Sequence, residues 1–444
     1  MILFYERNIM ESAASFKEKV YTGSVISLAI SSFVVNLGFG LTLPYFPLFA
    51  MELGAEIWHV GFLVTAFIVG RVLFNDRAGK LSDTYGRKLI INLGALGYAI
   101  ISIVMFFVEH WLHMLVLDFF WGMASAFVWS PSEACLVDQI SPKKRGEALS
   151  MFFTFTNAGW VAGPAIGGLA QHYAFNTLNM SLADSFRFPF YIVFALSLLS
   201  LVIVRLCVAE TRGKGIKQQI SDIPLKIDKP GEEKATKLPR RLRRNLYVFF
   251  FAAFANGFSW AFLEPLLPIY LTDKYQIIPL EIGIIFSTAG LVGILANFPA
   301  GKMSDKIGRK PLITVGMICS RTATVLIPAF SQTTANVTGV MGVRSVGFNV
   351  SQPALRALQA DQVPHARRGQ IFGRIEMFFD LGMISGSLIG PWSYDQFRSV
   401  QLFTLFGHVI FGEYIPFAIP AIMGIVALVC ILLFVITKKE SDEP

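Results

Sequence analysis

The chain has 444 residues, of which 54% are hydrophobic and 15% are charged, and it carries a formal net charge of +8. A soluble domain typically has about a quarter charged residues, so this chain has too few charges to cover a water-exposed surface. The composition therefore excludes a soluble globular protein and predicts an all-α membrane protein embedded in a lipid bilayer.

Apolar runs of about 20 residues recur along the chain, and a helix of that length crosses a hydrocarbon layer of ~30 Å. They predict twelve transmembrane helices, over residues 21–50, 58–76, 89–108, 112–136, 147–172, 188–208, 245–271, 280–300, 311–330, 336–358, 370–392 and 411–437. The four cysteines lie singly within these runs, without disulfide or metal-ligand spacing, and we expect them to pack as small apolar side chains.

The distribution of Lys and Arg predicts the orientation of the helices. An even number of spans puts both termini on one side, and the loops and termini of that side hold 29 of the 38 basic residues. The opposite side holds three, at Arg187, Lys274 and Arg398. Basic loops remain in the cytoplasm, so we expect a multi-pass protein of the cell membrane with both termini cytoplasmic. Because this bias accounts for the net charge, we expect no nucleic-acid partner.

The loop between the second and third spans, residues 79–88, reads GKLSDTYGRK. Gly79 and Gly86 permit a sharp turn and close helix packing, and Asp83 is an anion that could cap a neighbouring helix. Arg87, followed by Lys88, is a bidentate donor for a carboxylate. The alternative is that these charges only fix the topology, although topology requires no acid.

The fourth span places acids and aromatic residues on one stripe. At about 100° per residue its members share one face of the helix, and they are Asp118, Trp121, Ser125, Trp129 and Glu133. A charge within the membrane costs roughly 2.5–3.5 kcal/mol on insertion scales and indicates a functional site. Aromatic rings beside carboxylates suit an organic cation. The alternative is that the rings pack helices and the acids pair with arginines.

A charged loop and a glycine-rich helix follow the fourth span. Asp138 and Arg145 flank the next loop, on the terminal side. The fifth span carries small residues and a proline at Gly159, Gly163, Pro164, Gly167 and Gly168. Glycines on one face let another helix approach closely, and an internal proline bends its helix.

The segment 211–244 is the one long polar stretch and predicts a cytoplasmic linker between residues 1–210 and 245–444. Beyond it, Asn256, Trp260 and Glu264 form a second stripe, on the seventh span. In the tenth span Arg344 shares a face with Phe348. This arginine either neutralises an acid across a cavity or binds an anionic substrate.

The eleventh span contains Glu376 and Asp380, one turn apart, with Arg374 nearby. A local ion-pair cluster accounts best for these three residues.

The second half of the chain repeats the first. GKMSDKIGRK at 301–310, with Gly301, Asp305, Gly308 and Arg309, copies the 79–88 loop at an offset of 222 residues. Three further pairs recur in the same order at offsets of 221 to 223: Pro44-x-x-Pro47 and Pro265-x-x-Pro268, Asp138 and Asp361, Gly159 and Gly382. The repeats predict two related six-helix bundles.

The chain resembles the major facilitator superfamily over nearly its whole length. The resemblance rests on both GK-x-SD-xx-GRK loops, on PYFPLFAMELG at 44–54 and on GWVAGPAIGG at 159–168, which is similar to a signature of the drug:proton antiporter branch. It implies a latch of the outward-facing state, in which Asp83 lies near the start of span eleven and Arg87 near Asp138. It also implies a central cavity lined by spans one, four, seven and ten.

The cavity position implied by the resemblance selects the candidate functional residues. Glu264 is the first choice for proton coupling, Asp118 the second, and Glu133 either a third or a support for the Asp138–Arg145 turn. Substrate-cavity candidates are Asn36, Trp121, Ser125, Trp129, Asn256, Trp260, Arg344 and Phe348.

These features favour a monomeric secondary transporter that exchanges protons for hydrophobic or cationic small molecules and uses no cofactor. The alternative is uptake or facilitated diffusion of a polar metabolite, such as a sugar or organic anion, with Arg344 as ligand. A sensor would need a signalling domain, and the linker and tail offer none. An enzyme is disfavoured, because the sequence has no P-loop and no metal-ligand or nucleophile pattern.

Overall fold

The computed structural model of the protein describes residues 22–141, 144–211, 240–363, 368–405 and 408–435. Within these ranges, the side chains at positions 240, 241, 298, 301, 302, 305, 368, 402–405 and 408–411 are outside the description. Most of the predicted linker, at 212–239, also lies outside the described residues.

The described residues form thirteen α-helices and one short β-hairpin. The helices are α1 (Gly23–Thr42), α2 (Phe46–Glu52), α3 (Val60–Tyr85), α4 (Arg87–Met105), α5 (Trp111–Gln139), α6 (Arg145–Asn176), α7 (Leu182–Cys207), α8 (Arg240–Tyr275), α9 (Pro279–Ile307), α10 (Arg309–Phe330), α11 (Thr334–Gln362), α12 (Arg368–Phe397) and α13 (Ile415–Phe434). The hairpin pairs β1 (Gln401–Leu405) with β2 (His408–Phe411) in antiparallel register.

The predicted all-α fold is confirmed, with α1 and α2 together forming the first span and α3 to α13 the remaining eleven. The first span is not the continuous helix that was predicted, because it breaks between Thr42 and Phe46. Pro44 and Pro47 lie at this break, and each lacks the N–H that a continuous helix requires. Two boundaries were also wrong: α8 begins at Arg240, inside the predicted linker, and β2 includes Phe411, the predicted start of the last span.

Within the described residues, nine helices are long and apolar enough to cross a membrane by length and composition alone. The helices α6, α11 and α12 do not meet that criterion. They are nevertheless 32, 29 and 30 residues long, which exceeds the roughly 20 residues that a span requires. Each packs against other helices along its length, so fewer of its side chains need to be apolar.

The loop predicted at 79–88 is almost entirely helical, which corrects the sequence-based assignment. The helix α3 continues to Tyr85 and α4 begins at Arg87, so that Gly86 alone makes the turn, with φ of +111°. The copy behaves in the same way, since Gly308, with φ of +99°, separates α9 from α10. Positive φ strains any residue with a Cβ, so glycine is what makes a one-residue turn possible.

Glycine stripes bring the same pair of helices together in each half. A Cβ added to Gly163 would lie 2.6 Å from Gly40 Cα of α1. In the second half, a Cβ on Gly386 would lie 2.2 Å from the Phe258 carbonyl oxygen of α8. Backbone therefore packs directly on backbone where α6 crosses α1 and where α12 crosses α8.

In the described part of the chain, apolar contact between the two halves is concentrated at one face of the molecule. The helices α3 and α12 pack together, as do α6 and α9. Near the ends that carry Glu52 and Tyr275, one apolar cluster unites residues of both halves, among them Tyr45, Phe49, Leu266 and Tyr270. Near the start of α1 and the end of α13, by contrast, each half has its own separate apolar cluster. We call this face the basic face, after Arg87, Lys88, Arg309 and Lys310, which begin α4 and α10 there, and the other the opposite face.

Candidate functional site

A cavity of about 600 Å³ lies between the two halves. Its wall is formed by α1 to α6 of the first half and by α8 and α12 of the second. It extends from Pro47 and Val60, near the closed opposite face, to Asn75 and Glu133, toward the basic face. This position, between two helix bundles that diverge on one side, is where a transporter binds its cargo.

Five carboxylate side chains and one guanidinium line this cavity. The acids are Asp118, Glu133, Glu264, Glu376 and Asp380, and the base is Arg71. With every group ionised the wall would carry four net negative charges. Such a wall attracts cations and repels anions.

The acids lie at two depths. A helix rises about 1.5 Å per residue, so Asp118 and Glu133 are separated by roughly 22 Å along α5. Asp118 and Glu264 lie toward the closed end, and both face the cavity. Asp118 is only 5% exposed, and no described residue hydrogen-bonds or ion-pairs with its carboxylate. A buried carboxylate without a partner is costly when ionised, so it readily takes up a proton or a cation.

Aromatic rings form the middle of the cavity wall. Phe39 stacks on Trp160, with ring centroids 5.4 Å apart, and meets Trp121 edge to face at 6.1 Å. Trp160 lies 6.3 Å from Trp260 of the second half, so one aromatic surface spans both halves. Trp129 and Ser125 complete the wall as the sequence predicts, beside Tyr98.

Two ion pairs mark the part of the cavity nearest the basic face. Arg71 Nη2 lies 2.6 Å from Asp380 Oδ1, and Arg356 Nη2 lies 3.2 Å from Glu376 Oε1. The predicted local cluster of Arg374 with these two acids is therefore wrong. Both acids pair with arginines of other helices, Asp380 with Arg71 of α3 and Glu376 with Arg356 of α11.

Three predicted substrate ligands lie outside the cavity. Asn256 accepts a hydrogen bond from Arg321 Nη2 at 2.8 Å and is buried between α8 and α10. Arg344 and Phe348 of α11 do not reach the cavity wall. The anion-binding alternative therefore has no cavity contact at Arg344, and the neutralising role of this arginine stays a prediction. Helical periodicity shows which residues share a face of α8 or α11. It does not show how each helix is rotated about its axis, and so it could not show that these three residues face away from the cavity.

Asn36 lines the cavity and also joins helices. Its Nδ2 donates to the Thr156 carbonyl oxygen at 2.9 Å, which ties α1 to α6. Gly168, one of the small residues of α6, faces the second half, because an added Cβ would lie 2.9 Å from Leu280 Cα. Ala165, next to Pro164, donates its N–H to Ser287 Oγ at 2.9 Å, another contact between the halves.

The first predicted latch forms a compact ionic cluster at the basic face. Arg87 Nε lies 3.2 Å from Asp138 Oδ2, and its Nη2 lies 2.6 Å from Asp83. Arg87 Nη1 also donates to Ser82 Oγ at 2.7 Å. Asp83 is half exposed and pairs with Arg87, while residues 364–367 and the side chain of residue 368, at the start of span eleven, lie outside the described part of the chain.

The second latch repeats this geometry. Arg309 Nη1 donates to Ser304 Oγ at 2.7 Å, and Arg309 Nε lies 3.5 Å from Asp361 Oδ2. Gly301 and Asp305 belong to α9, but their side chains lie outside the described residues. The described parts of the two copies therefore have the same arginine–serine–aspartate arrangement.

Glu210 is a latch residue that the sequence did not reveal. Its carboxylate accepts hydrogen bonds from the backbone N–H groups of Arg87 and Lys88 at 3.0 and 3.2 Å. It thus caps α4, the role that was considered for Asp83. Glu210 follows α7, more than 120 residues along the chain, and no local spacing signals the contact. Arg145 does not pair with Asp138, and its buried Nε has no hydrogen-bond partner among the described residues.

The family model of the Major Facilitator Superfamily matches residues 28–246 and 249–444, almost the entire chain. The chain belongs to the Major Facilitator Superfamily. Members of this superfamily are transporters and not enzymes, and this protein is accordingly a multi-helix membrane transporter for small molecules.

Curated relatives include multidrug resistance proteins. The chain is 26% identical over 368 residues to an uncharacterized MFS-type transporter of Methanocaldococcus jannaschii, covering 82% of this chain and 89% of that one. It is 24% identical over 381 residues to multidrug resistance protein 2 of Bacillus subtilis, covering 83% and 88%. It is 24% identical over 394 residues to the quinolone resistance protein NorA of Staphylococcus aureus, covering 87% and 94%.

Solved structures share the fold at low identity. A bacterial homologue of the human lysosomal transporter Spinster, in an inward-facing and occupied conformation, superposes with a TM-score of 0.72 at 14% identity, over 92% of this chain and 95% of that one. The nucleoside transporter NupG gives a TM-score of 0.72 at 13% identity, over 94% and 100%. At these identities the likeness shows the fold alone.

Proposed function

We propose that this transporter is a proton-coupled exporter of hydrophobic or cationic small molecules that works by alternating access. The observation that carries the proposal is the lining of the cavity, which combines five acids, one arginine and a wall of aromatic rings. Organic cations bind to such surfaces through ion pairing and cation–π attraction. The relatives named for multidrug and quinolone resistance support the same substrate class.

Two acids at the closed end of the cavity support the proposed proton coupling. Neither Asp118 nor Glu264 forms an ion pair within 4 Å among the described residues. A proton and a cationic substrate therefore compete for the same carboxylates. Release of the proton on one side and of the substrate on the other would drive exchange.

The proposed orientation of the protein rests on the distribution of basic residues. We infer that the basic face is cytoplasmic and that the termini lie there, in the cell membrane. The conformation with an open basic face would then load substrate from the cytoplasm. Export requires the two bundles to rock until the opposite face opens.

The test uses proteoliposomes that contain the purified protein and a trapped pH-sensitive dye. Tetraphenylphosphonium, a sugar and an organic acid are added in turn to wild type and to the Glu264→Gln and Asp118→Asn variants. Glu109→Gln is the matched control, since Glu109 is an exposed acid outside the cavity. We expect the cation alone to drive proton movement, unchanged in the control and reduced at least tenfold in Glu264→Gln.

Each other outcome has a definite meaning. Proton movement that persists in Glu264→Gln but disappears in Asp118→Asn would assign the coupling to Asp118. Flux of the sugar or the organic acid without a pH change would refute antiport. It would favour facilitated diffusion of a polar metabolite, the alternative suggested by the nucleoside transporter among the structural neighbours.

A further inference from the structure

Arg71 and Asp380 join the two bundles at one defined place. Arg71 belongs to α3 and Asp380 to α12, and their Nη2–Oδ1 distance is 2.6 Å. Of the ion pairs formed between described residues, this is the one that connects the first half of the chain with the second. Both side chains also line the cavity.

The ion pair lies at the basic-face end of the contact between α3 and α12. Toward the opposite face, Thr65 and Ser387 are hydrogen-bonded across the seam at 2.9 Å. An apolar block that includes Ile68, Ala261 and Met383 fills the seam between that bond and the ion pair. Beyond the pair, toward the basic face, Asn75 and Glu376 line the open cavity.

The charges around the pair would allow a cationic ligand to take the place of Arg71 beside Asp380. Arg71 and Asp380 are 34% and 22% exposed, so the pair is accessible from the cavity. Arg71 is the one basic side chain in the described cavity wall, and Asp380 is one of five acids there. Arg71 therefore occupies, as a tethered cation, a carboxylate that a cationic ligand entering from the basic face would otherwise bind.

We propose that the Arg71–Asp380 pair is a substrate-released clamp, which holds the two bundles in the conformation open at the basic face until a cation displaces Arg71 from Asp380. Displacement removes a bond that exists between the bundles in this conformation, and so favours closure of the basic face around the cargo. The clamp itself requires only that the pair joins the bundles. Its release by substrate rests on the proposed export of cations.

The test measures the distance between the two bundles at the basic face and the affinity of the protein for a cation. Spin labels at positions 84 and 370, both exposed near the basic face on opposite bundles, report whether that face is open, in a variant without the native cysteines. The affinity for tetraphenylphosphonium is measured in detergent by equilibrium binding. The matched control is Lys80→Gln, which removes the same charge from α3 at a surface pair whose partners are 75% and 77% exposed.

Arg71→Gln should shift the label distances toward the closed basic face and lower the Kd for tetraphenylphosphonium by about three- to tenfold, because Asp380 becomes free. Asp380→Asn should give the same distance shift without the gain in affinity. The exchange Arg71→Asp with Asp380→Arg should restore the wild-type distances. Lys80→Gln should change neither quantity.

Two results would overturn the clamp: wild-type distances in both single variants, or an exchange variant that is stable and monodisperse but keeps the shifted distances. If Arg71→Gln does not fold, Asp380→Asn carries the distance test. An unchanged Kd in Arg71→Gln, with shifted distances, would refute release by substrate but not the clamp. Absence of tetraphenylphosphonium binding and of proton movement in wild type would refute the proposed function, and the distances would still decide on the clamp.

Discussion

Replacing Gly163 by alanine tests the backbone contact that builds each half. An added Cβ would lie 2.6 Å from Gly40 Cα and 2.7 Å from the Leu41 backbone nitrogen. Carbon atoms that are not bonded prefer a separation of ~3.5–4.0 Å, so α1 and α6 must separate by about 1 Å. The obstructing atoms are backbone atoms, and no change of rotamer can move them. We expect the free energy of unfolding to fall by about 1–3 kcal/mol.

The matched control is Gly146→Ala in the first turn of α6. A Cβ there has nothing within 4 Å, so the substitution should be neutral or stabilise the helix by up to about 1 kcal/mol. The corresponding change in the second half, Gly386→Ala, should destabilise like Gly163→Ala, since its Cβ would lie 2.2 Å from the Phe258 carbonyl oxygen.

Thermal unfolding of the purified variants in one detergent, followed by intrinsic tryptophan fluorescence, measures these differences. Proton exchange in proteoliposomes shows whether the loss of stability extends to transport. If Gly163→Ala unfolds at the same temperature as Gly146→Ala, the direct backbone contact between α1 and α6 is refuted.

Three further predictions concern the latches, a buried arginine and the aromatic wall. Arg87→Gln should reduce transport more than Arg309→Gln, because Arg87 is 16% and Arg309 30% exposed, and their distances to the equivalent aspartates, Asp138 and Asp361, are 3.2 and 3.5 Å. Equal losses of the initial rate in proteoliposomes would contradict this prediction. Asn256→Ala should lower the free energy of unfolding by about 1–3 kcal/mol, since it leaves the 5% exposed Arg321 without its hydrogen-bond acceptor, and an unchanged unfolding temperature would contradict this. Trp160→Ala should weaken tetraphenylphosphonium binding by about 2- to 30-fold, with unaltered binding as the contrary result of an equilibrium titration.

Predictions that rest on repetition and length agree with the structure. Twelve predicted spans correspond to α1 with α2 and to α3 through α13, because a helix needs about 20 residues to cross the hydrocarbon layer. The copied glycines Gly86 and Gly308 both have positive φ, a conformation that only this residue adopts without strain. The stripe from Asp118 to Glu133 faces one cavity, since helical periodicity fixes which side chains share a face.

Composition, length and repetition were therefore enough to predict the membrane class, the duplicated helices and the acids within them. It did not determine which partner each side chain meets, because the rotation and crossing of whole helices depend on contacts between residues far apart in the chain. Asp380 meets Arg71, 309 positions away, and Asn256 meets Arg321 instead of the cavity. Glu210 caps a helix that begins more than 120 residues earlier. Only the packing of the two bundles decided these contacts, since it alone sets which faces are buried together and which remain open around the cavity.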